Sequence, residues 1–231
     1  MSIPTSNPVF SLDKSQRDAF AVDNRLALEL LISGTDDYIG CRCCLLHGAF
    51  AGLALGATAV EKHLKAMIRL KSPATAPRGY SHKMLDLADA VQALGVVDLQ
   101  PYRDTLTRLA DHYHGRYPDN PRQLDSYSTS ELAEIDTLMA VLIEQMPLPT
   151  EMLLRTGIPA KIASMAERNP TSPELALLLN RNQPLQALAR KLECLHTEWA
   201  AFNGKGKKPA AATAPSGSGP GLPPALTSKA E

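Results

Sequence analysis

The chain has 231 residues, enough for one domain or for one domain with an appendage. Basic residues (Lys plus Arg) and acidic residues (Asp plus Glu) each number 24, and this zero net charge argues against a general nucleic-acid binder, which usually carries a basic excess. Apolar residues make up 44% of the chain but aromatic residues only 5%, a composition that favours helices packed on helices over sheets.

The first predicted element is a loose leader, residues 1–13, which contains two prolines. It has no basic region followed by an apolar one, so we expect no secretory signal, a cytoplasmic location and reduced cysteines. A helix is predicted to follow from about Lys14 to Ile32, and Gly34 is predicted to end it.

A long second helix is predicted over about residues 36–70, with a possible break at Gly40. An apolar run inside it is too short to cross a membrane, which takes about 20 residues. Its apolar positions alternate spacings of four and three: Leu46, Phe50, Leu53, Ala57, Val60, Leu64 and Met67. Gly48, Gly52 and Gly56 share one face, although glycine costs about 1 kcal/mol relative to alanine inside a helix. We therefore predict that a neighbouring helix approaches closely at these glycines.

Three more helices are predicted after a loop at residues 72–80. The third begins at the N-cap Ser81 and ends at Gly95. The fourth begins at Pro101, and Ser128 caps the fifth. Helical spacing predicts their inward-facing positions: Met84, Leu87, Val91, Leu94, Tyr102, Leu106, Leu109, Tyr113, Leu132, Ile135, Leu138 and Leu142.

Residues 150–202 are predicted to be a C-terminal helical extension of a bundle formed by residues 14–149. Prolines stand where first helical turns are expected to begin: Pro159, Pro173 and Pro184. The last helix has a clear apolar stripe: Leu185, Leu188, Leu192, Leu195, Trp199 and Phe202. Residues 203–231 consist mainly of Gly, Lys, Ala, Pro and Ser, and we predict a disordered tail because this composition cannot form a core.

Three motifs stand in order along the predicted second, third and fourth helices: Ala59-Val-Glu-Lys-His-Leu-Lys65, His82-Lys-Met-Leu-Asp-Leu-Ala88 and Arg116-Tyr117-Pro118-Asp119. In this order they resemble the HEPN domains (higher eukaryotes and prokaryotes nucleotide-binding), over roughly residues 36–146. The resemblance implies an up-and-down helical bundle that often forms homodimers and binds nucleotide or RNA. Small bacterial members often work beside a nucleotidyltransferase, so the resemblance also implies a possible protein partner of that kind.

The ligand-binding residues that this resemblance suggests are Arg116, His112, His114, Lys62, Lys65 and Asp119. In this interpretation the Arg116 guanidinium supplies a forked donor to a phosphate, the two histidines contact it, and the lysines add positive charge. The alternative is structural. Pro118 ends the helix, Arg116 lies at its negative end and Asp119 hydrogen-bonds the turn, while the lysines lie on a solvated face.

Some branches of the family cleave RNA without a metal, using an arginine and a histidine that are separated by four to six residues. Pairs with this spacing include Arg42 with His47 and Arg108 with His114, but roughly one such pair is expected by chance. An offset of six residues also points the side chains of Arg108 and His114 about 120° apart on a helix. The favoured hypothesis is therefore a binding or regulatory module, with a ribonuclease and a structural adaptor as alternatives.

The thiol-rich segment of residues 41–47 raises the question of a metal site. Structural zinc needs four soft ligands, and Cys194 and His196 are the only distant residues that would complete such a set. Small buried thiols on a packed helix explain the same pattern. No Gly-rich phosphate loop is present either, so we predict neither a metal nor a cofactor.

Overall fold

The computed structural model describes residues 12–74, 82–115, 129–169 and 171–202. These residues form α-helices and connecting turns with no strand among them, which confirms the predicted all-α class. Within these ranges, no helix combines the length and the apolar character that a membrane crossing requires. The helices are α1 (Lys14–Asp23), α2 (Arg25–Leu46), α3 (Gly52–Lys71), α4 (Met84–Ala93), α5 (Arg103–Gly115), α6 (Thr129–Glu144), α7 (Thr150–Leu153), α8 (Gly157–Arg168), α9 (Pro173–Leu179) and α10 (Gln183–Phe202).

Helix α3 is the centre of the bundle. It packs along α2 and also contacts α4, α5 and α6. Its predicted apolar stripe is almost completely excluded from solvent: Leu53, Ala57, Val60, Leu64 and Met67. Because five apolar positions on one face meet four neighbouring helices, α3 supplies much of the hydrophobic driving force for the fold.

The predicted helix boundaries in the first half of the chain are wrong. The first predicted helix is divided between α1 and α2, and α2 continues through Gly34 and Gly40 without a break. The second predicted helix is instead interrupted by a turn at residues 47–51, where Gly48 has a φ of +74°. Helical periodicity continued across this turn, and so the sequence did not reveal it.

Close helix contacts occur at two of the three predicted glycines. A Cβ atom at Gly52 would lie 2.7 Å from Leu45 Cγ, and one at Gly56 would lie 3.0 Å from Cys41 Sγ. Gly48 is in the turn and has open space around it, so the prediction was wrong there. Gly34 supplies a further close contact, because its Cβ would lie 2.9 Å from the His63 ring. These glycines let α2 and α3 approach more closely than larger residues would allow.

Most of the inward-facing positions predicted for the later helices are buried. Leu94 has 38% of its surface exposed, because it lies after the end of α4 at Ala93 and before Gly95, whose φ is +65°. Tyr102 is partly buried, in a short 3-10 turn before α5. Prolines lie in the first turns of α8, α9 and α10, as predicted. The predicted N-caps Ser81 and Ser128 and the predicted tail lie outside the described residues.

The C-terminal helices pack on the bundle. Helices α8 and α9 contact α2, and α10 contacts α6. Apolar residues of α8, α9 and α10 belong to the same continuous core as α3: Ile158, Ile162, Met165, Leu175, Leu178, Leu185, Leu188 and Leu192.

His63, on α3, is buried and is expected to make stability fall in acid. Its Nδ1 lies 2.8 Å from the Ala59 carbonyl, and burial lowers its pKa from 6.5 to about 4. Between these values the unfolded chain binds a proton that the folded chain does not, so stability should fall by up to about 1.4 kcal/mol per pH unit as the pH decreases from 6.5 to 4. Urea unfolding of the parent and of His63→Gln across this range measures the effect. If the free energy of unfolding of the parent changes with pH no more steeply than that of the variant, His63 is not the cause of the loss in acid.

Candidate functional site

Four side chains from three parts of the chain meet at one place, which we call the Glu61 cluster: Glu61 and Lys65 of α3, His82 before α4, and Tyr113 of α5. The buried Glu61 carboxylate accepts a hydrogen bond from Lys65 Nζ through one oxygen. Its other oxygen lies 3.1 Å from His82 Nδ1. The carboxylate thus holds a cationic side chain and an imidazole in fixed positions next to each other.

The His82 ring forms the accessible part of this cluster. It stacks on the Tyr113 ring with centroids 4.8 Å apart and planes inclined by 25°, and 51% of its side chain is exposed. His82 has a φ of +60°, a left-handed conformation that is uncommon for residues other than glycine. Backbone outliers of this kind occur often at functional sites. The cluster therefore presents a supported aromatic face to solvent.

Two of the predicted ligand-binding residues lie at the Glu61 cluster. Lys65 is a member of it, and the exposed His114 makes an edge contact with the Tyr113 ring at 5.8 Å between centroids. Arg116 and Asp119 follow His114 in the chain but lie outside the described residues. Two of the six predicted residues, Lys65 of α3 and His114 of α5, therefore lie at the Glu61 cluster, and their contact with a ligand stays a prediction.

His112 points away from this cluster. It is 8% exposed, its Nε2 lies 3.4 Å from Glu131 on α6, and its ring meets the edge of Phe50 at 5.2 Å between centroids. Residues two apart on a helix do not face the same side, so His112 cannot share the environment of His114. The prediction that both histidines contact one phosphate is therefore wrong for His112 in this arrangement.

Lys62 also lies apart from the cluster. Its Nζ is 2.6 Å from Asp37 Oδ2 and donates a hydrogen bond of 2.6 Å to Ser33 Oγ, both on α2. The side chain is 25% exposed. The structure therefore places Lys62 in an ion pair between α2 and α3 and not on an open solvated face.

The weak catalytic candidates Arg108 and His114 have different neighbours. Arg108 forms an ion pair with Glu134 of α6, whose carboxylate also accepts a 3.0 Å hydrogen bond from Thr105. His114, in contrast, contacts the Tyr113 ring. This arrangement agrees with the large angle expected for an offset of six residues on a helix.

The other candidate pair, Arg42 with His47, is contradicted by burial. Arg42 is completely excluded from solvent, forms an ion pair with Asp136 of α6, and donates to the carbonyl oxygens of Leu177 and Asn180 at the end of α9. A substrate has no access to this guanidinium. The exposed His47 has its Nδ1 2.7 Å from the Cys43 carbonyl, at the end of α2.

Arg42 belongs to a buried polar network that the sequence analysis missed. Tyr38 donates a 2.6 Å hydrogen bond to Asp136, and Asn182 Nδ2 donates a 2.8 Å bond to the Tyr38 hydroxyl. Burial raises the pKa of Tyr38 well above 10, so the hydroxyl stays protonated and donates. Burial also raises the pKa of Asp136, while hydrogen bonds from Arg42 and Tyr38 act in the opposite direction. One feature of the sequence could have indicated this network. Arg42 lies on the same helix face as Tyr38 and Leu45, which predicts that its side chain points into the core.

The cysteines are free thiols. Cys41 is buried beneath Gly56, and burial raises its pKa to about 12, which makes it unreactive near neutral pH. Cys43 and Cys44 are partly buried on α2, and Cys194 is exposed on α10. Among the residues that the structure describes, no three His, Cys, Asp or Glu side chains are arranged to hold a metal ion.

A second concave feature, which we call the C-terminal groove, lies between α8, α9 and α10. Its volume is about 720 Å³, within the range typical of ligand pockets. Its walls are apolar, formed by Ile162, Ala163, Leu175, Leu179, Ala189 and Leu192. Polar and charged groups lie among its lining: Glu167, Gln186, Arg190 and Glu193. None of these residues was predicted as a site.

The chain therefore offers a small polar site at the Glu61 cluster and a larger apolar groove among its last three helices. When the chain is compared with protein-family models, with curated proteins and with solved structures, none of them matches it.

Proposed function

We propose that the chain is a HEPN-like binding module that takes a nucleotide or a single-stranded RNA at the Glu61 cluster. The observation that supports this most is the half-exposed His82 ring, stacked on Tyr113 beside the Lys65 ammonium. Nucleobases stack on aromatic and histidine rings, and cationic side chains attract the phosphates. The resemblance adds the expectation of a homodimer and of a partner such as a nucleotidyltransferase.

Binding without cleavage is the better supported form of this proposal. The buried Glu61 carboxylate fixes Lys65 and His82 in place, an arrangement suited to holding a ligand. The arginine required for the ribonuclease alternative, Arg108, is engaged by Glu134. We therefore expect labelled RNA to remain intact when it is incubated with the protein without metal. Cleavage would instead favour the ribonuclease alternative.

Arg116 is expected to contribute more to this binding than Lys62. Arg116→Ala should weaken the binding of ATP or of a labelled single-stranded RNA by about 1.5–3 kcal/mol, the range for a hydrogen bond to a charged group. Lys62→Ala is the matched control, because Lys62 is held by Asp37 on the side of α2. Fluorescence anisotropy with the RNA and calorimetry with ATP measure both variants, and melting curves show whether each one folds.

Different results would exclude different parts of the proposal. If Arg116→Ala binds as tightly as the parent, Arg116 only terminates the helix. If Arg116→Ala loses both binding and fold, His82→Ala becomes the decisive variant, because His82 is half exposed and its removal should reduce binding without unfolding the protein. If neither nucleotides nor RNA raise the melting temperature of the parent, the module hypothesis is wrong and a structural adaptor remains.

A further inference from the structure

The Glu61 carboxylate determines which nitrogen of the His82 ring carries the proton. A carboxylate only accepts hydrogen bonds, so His82 Nδ1, which lies 3.1 Å from Glu61 Oε2, must be the donor of this contact. A neutral imidazole has one N–H, and the second ring nitrogen, Nε2, then carries a lone pair. The Glu61 side chain is 6% exposed, and its other oxygen accepts a hydrogen bond from Lys65 Nζ. Neutral His82 is therefore held in the form in which Nε2 is an acceptor.

A phosphate group does not bind to an acceptor at this position. The oxygens of a phosphodiester accept hydrogen bonds, so the lone pair of a neutral Nε2 repels them. When the ring takes up a proton, both nitrogens donate, Nδ1 to Glu61 and Nε2 to the phosphate. We propose that binding of a phosphodiester at the Glu61 cluster is coupled to proton uptake by His82, with Glu61 as the positioning residue that imposes the coupling. This inference rests on the proposed function and adds the condition under which the site is occupied.

The titratable groups near the ring do not remove this requirement. Those of the described residues come from three helices: Glu61 and Lys65 of α3, Lys83 and Asp86 around the start of α4, and Tyr113 and His114 of α5. Lys65 pairs with Glu61 and Lys83 pairs with Asp86, so each positive charge has a negative one beside it. The phosphate therefore supplies the added negative charge that holds a proton on the ring.

Proton uptake is measured by titration calorimetry of the full chain with an oligouridine that has no terminal phosphate. Neither its bases nor its phosphodiesters change charge near neutral pH, so a proton that is taken up must go to the protein. Two buffers with different ionisation enthalpies, HEPES and Tris, should give different apparent heats at the same pH. As the pH decreases from about 8 to about 6, where histidine gains its charge, the affinity should rise by up to about tenfold per pH unit, the limit for one proton.

Two variants separate this coupling from a purely structural role. In Glu61→Gln the amide can donate to Nδ1, which allows the neutral ring to place its proton on Nε2. This variant should bind with less proton uptake, whereas a structural role would lower the affinity and leave the uptake unchanged. His82→Asn should bind without uptake, and asparagine tolerates the φ of +60° at this position. His47→Asn is the matched control and should keep the uptake of the parent, because His47 is exposed and lies outside the cluster, with its Nδ1 at the Cys43 carbonyl.

The ring tautomer is observed without any ligand, in long-range proton–nitrogen NMR spectra recorded above the pH range in which histidine is charged. The spectra should show His82 protonated on Nδ1, and a proton on Nε2 instead would overturn the proposal. Equal heats in both buffers with an affinity that does not change with pH would also overturn it, as would uptake that persists in His82→Asn. If Glu61→Gln does not fold, the parent and His82→Asn decide the question. If the oligouridine and other single-stranded RNAs bind at no pH, the proposed function is wrong and the coupling with it, even when the tautomer is the expected one.

Discussion

Asp136→Ala is expected to destabilise the protein by about 3–5 kcal/mol, the cost of leaving a buried charge without its partner. The Arg42 guanidinium is fully buried and would keep its two carbonyl acceptors but lose its only counter-charge within the network. Tyr38 would lose the acceptor of its 2.6 Å hydrogen bond at the same time. Urea unfolding at neutral pH, followed by circular dichroism, measures the loss.

The matched control is Asp37→Ala, which removes the same side chain from the ion pair with Lys62. That pair is partly exposed and should contribute no more than about 1 kcal/mol. A double variant, Arg42→Met with Asp136→Leu, should be less destabilised than Asp136→Ala, because an apolar pair leaves no charge buried. If Asp136→Ala lowers the free energy of unfolding by no more than Asp37→Ala does, the Arg42 guanidinium must reach solvent after the substitution. The network would then not be sealed from solvent.

Gly52→Leu is expected to destabilise the protein by roughly 1–3 kcal/mol or more, because the site has no space for a side chain. A Cβ atom there would lie 2.7 Å from Leu45 Cγ and 2.8 Å from the Cys41 carbonyl oxygen. The carbonyl belongs to the α2 backbone, so the contact cannot be relieved by a change of rotamer. Thermal or urea unfolding of the variant tests the prediction.

Gly48→Asn is the control for this substitution. Gly48 belongs to the same four-residue series but lies in the turn between α2 and α3 with open space around it. Its φ of +74° is tolerated by asparagine better than by most residues. If Gly52→Leu unfolds at the same temperature or urea concentration as the parent and Gly48→Asn, α2 and α3 can move apart at this position with little loss of stability.

The sequence by itself determined the helical class and most of the buried positions. Heptad-like spacing identified the buried stripes of α3 and α6, and proline positions marked the starts of the last three helices. These features are local, since the periodicity of a helix and the missing amide hydrogen of proline act within a few residues. The end of α5 was also predicted to lie in a site, and the structure places the His114 ring against Tyr113, which stacks on His82.

Only the tertiary structure decided which charged residues are available to a ligand. Arg42 has the spacing of a catalytic residue, but Asp136, 94 positions later, and Asn180, 138 positions later, enclose it in the core. Lys62 and Lys65 are three residues apart on α3, yet their long side chains turn to different carboxylates, Asp37 and Glu61. The turn between α2 and α3 was hidden for a related reason, because the apolar period continues across it. Periodicity shows which face of a helix is buried, whereas the partner of each charge is supplied by distant segments that only the packing brings together.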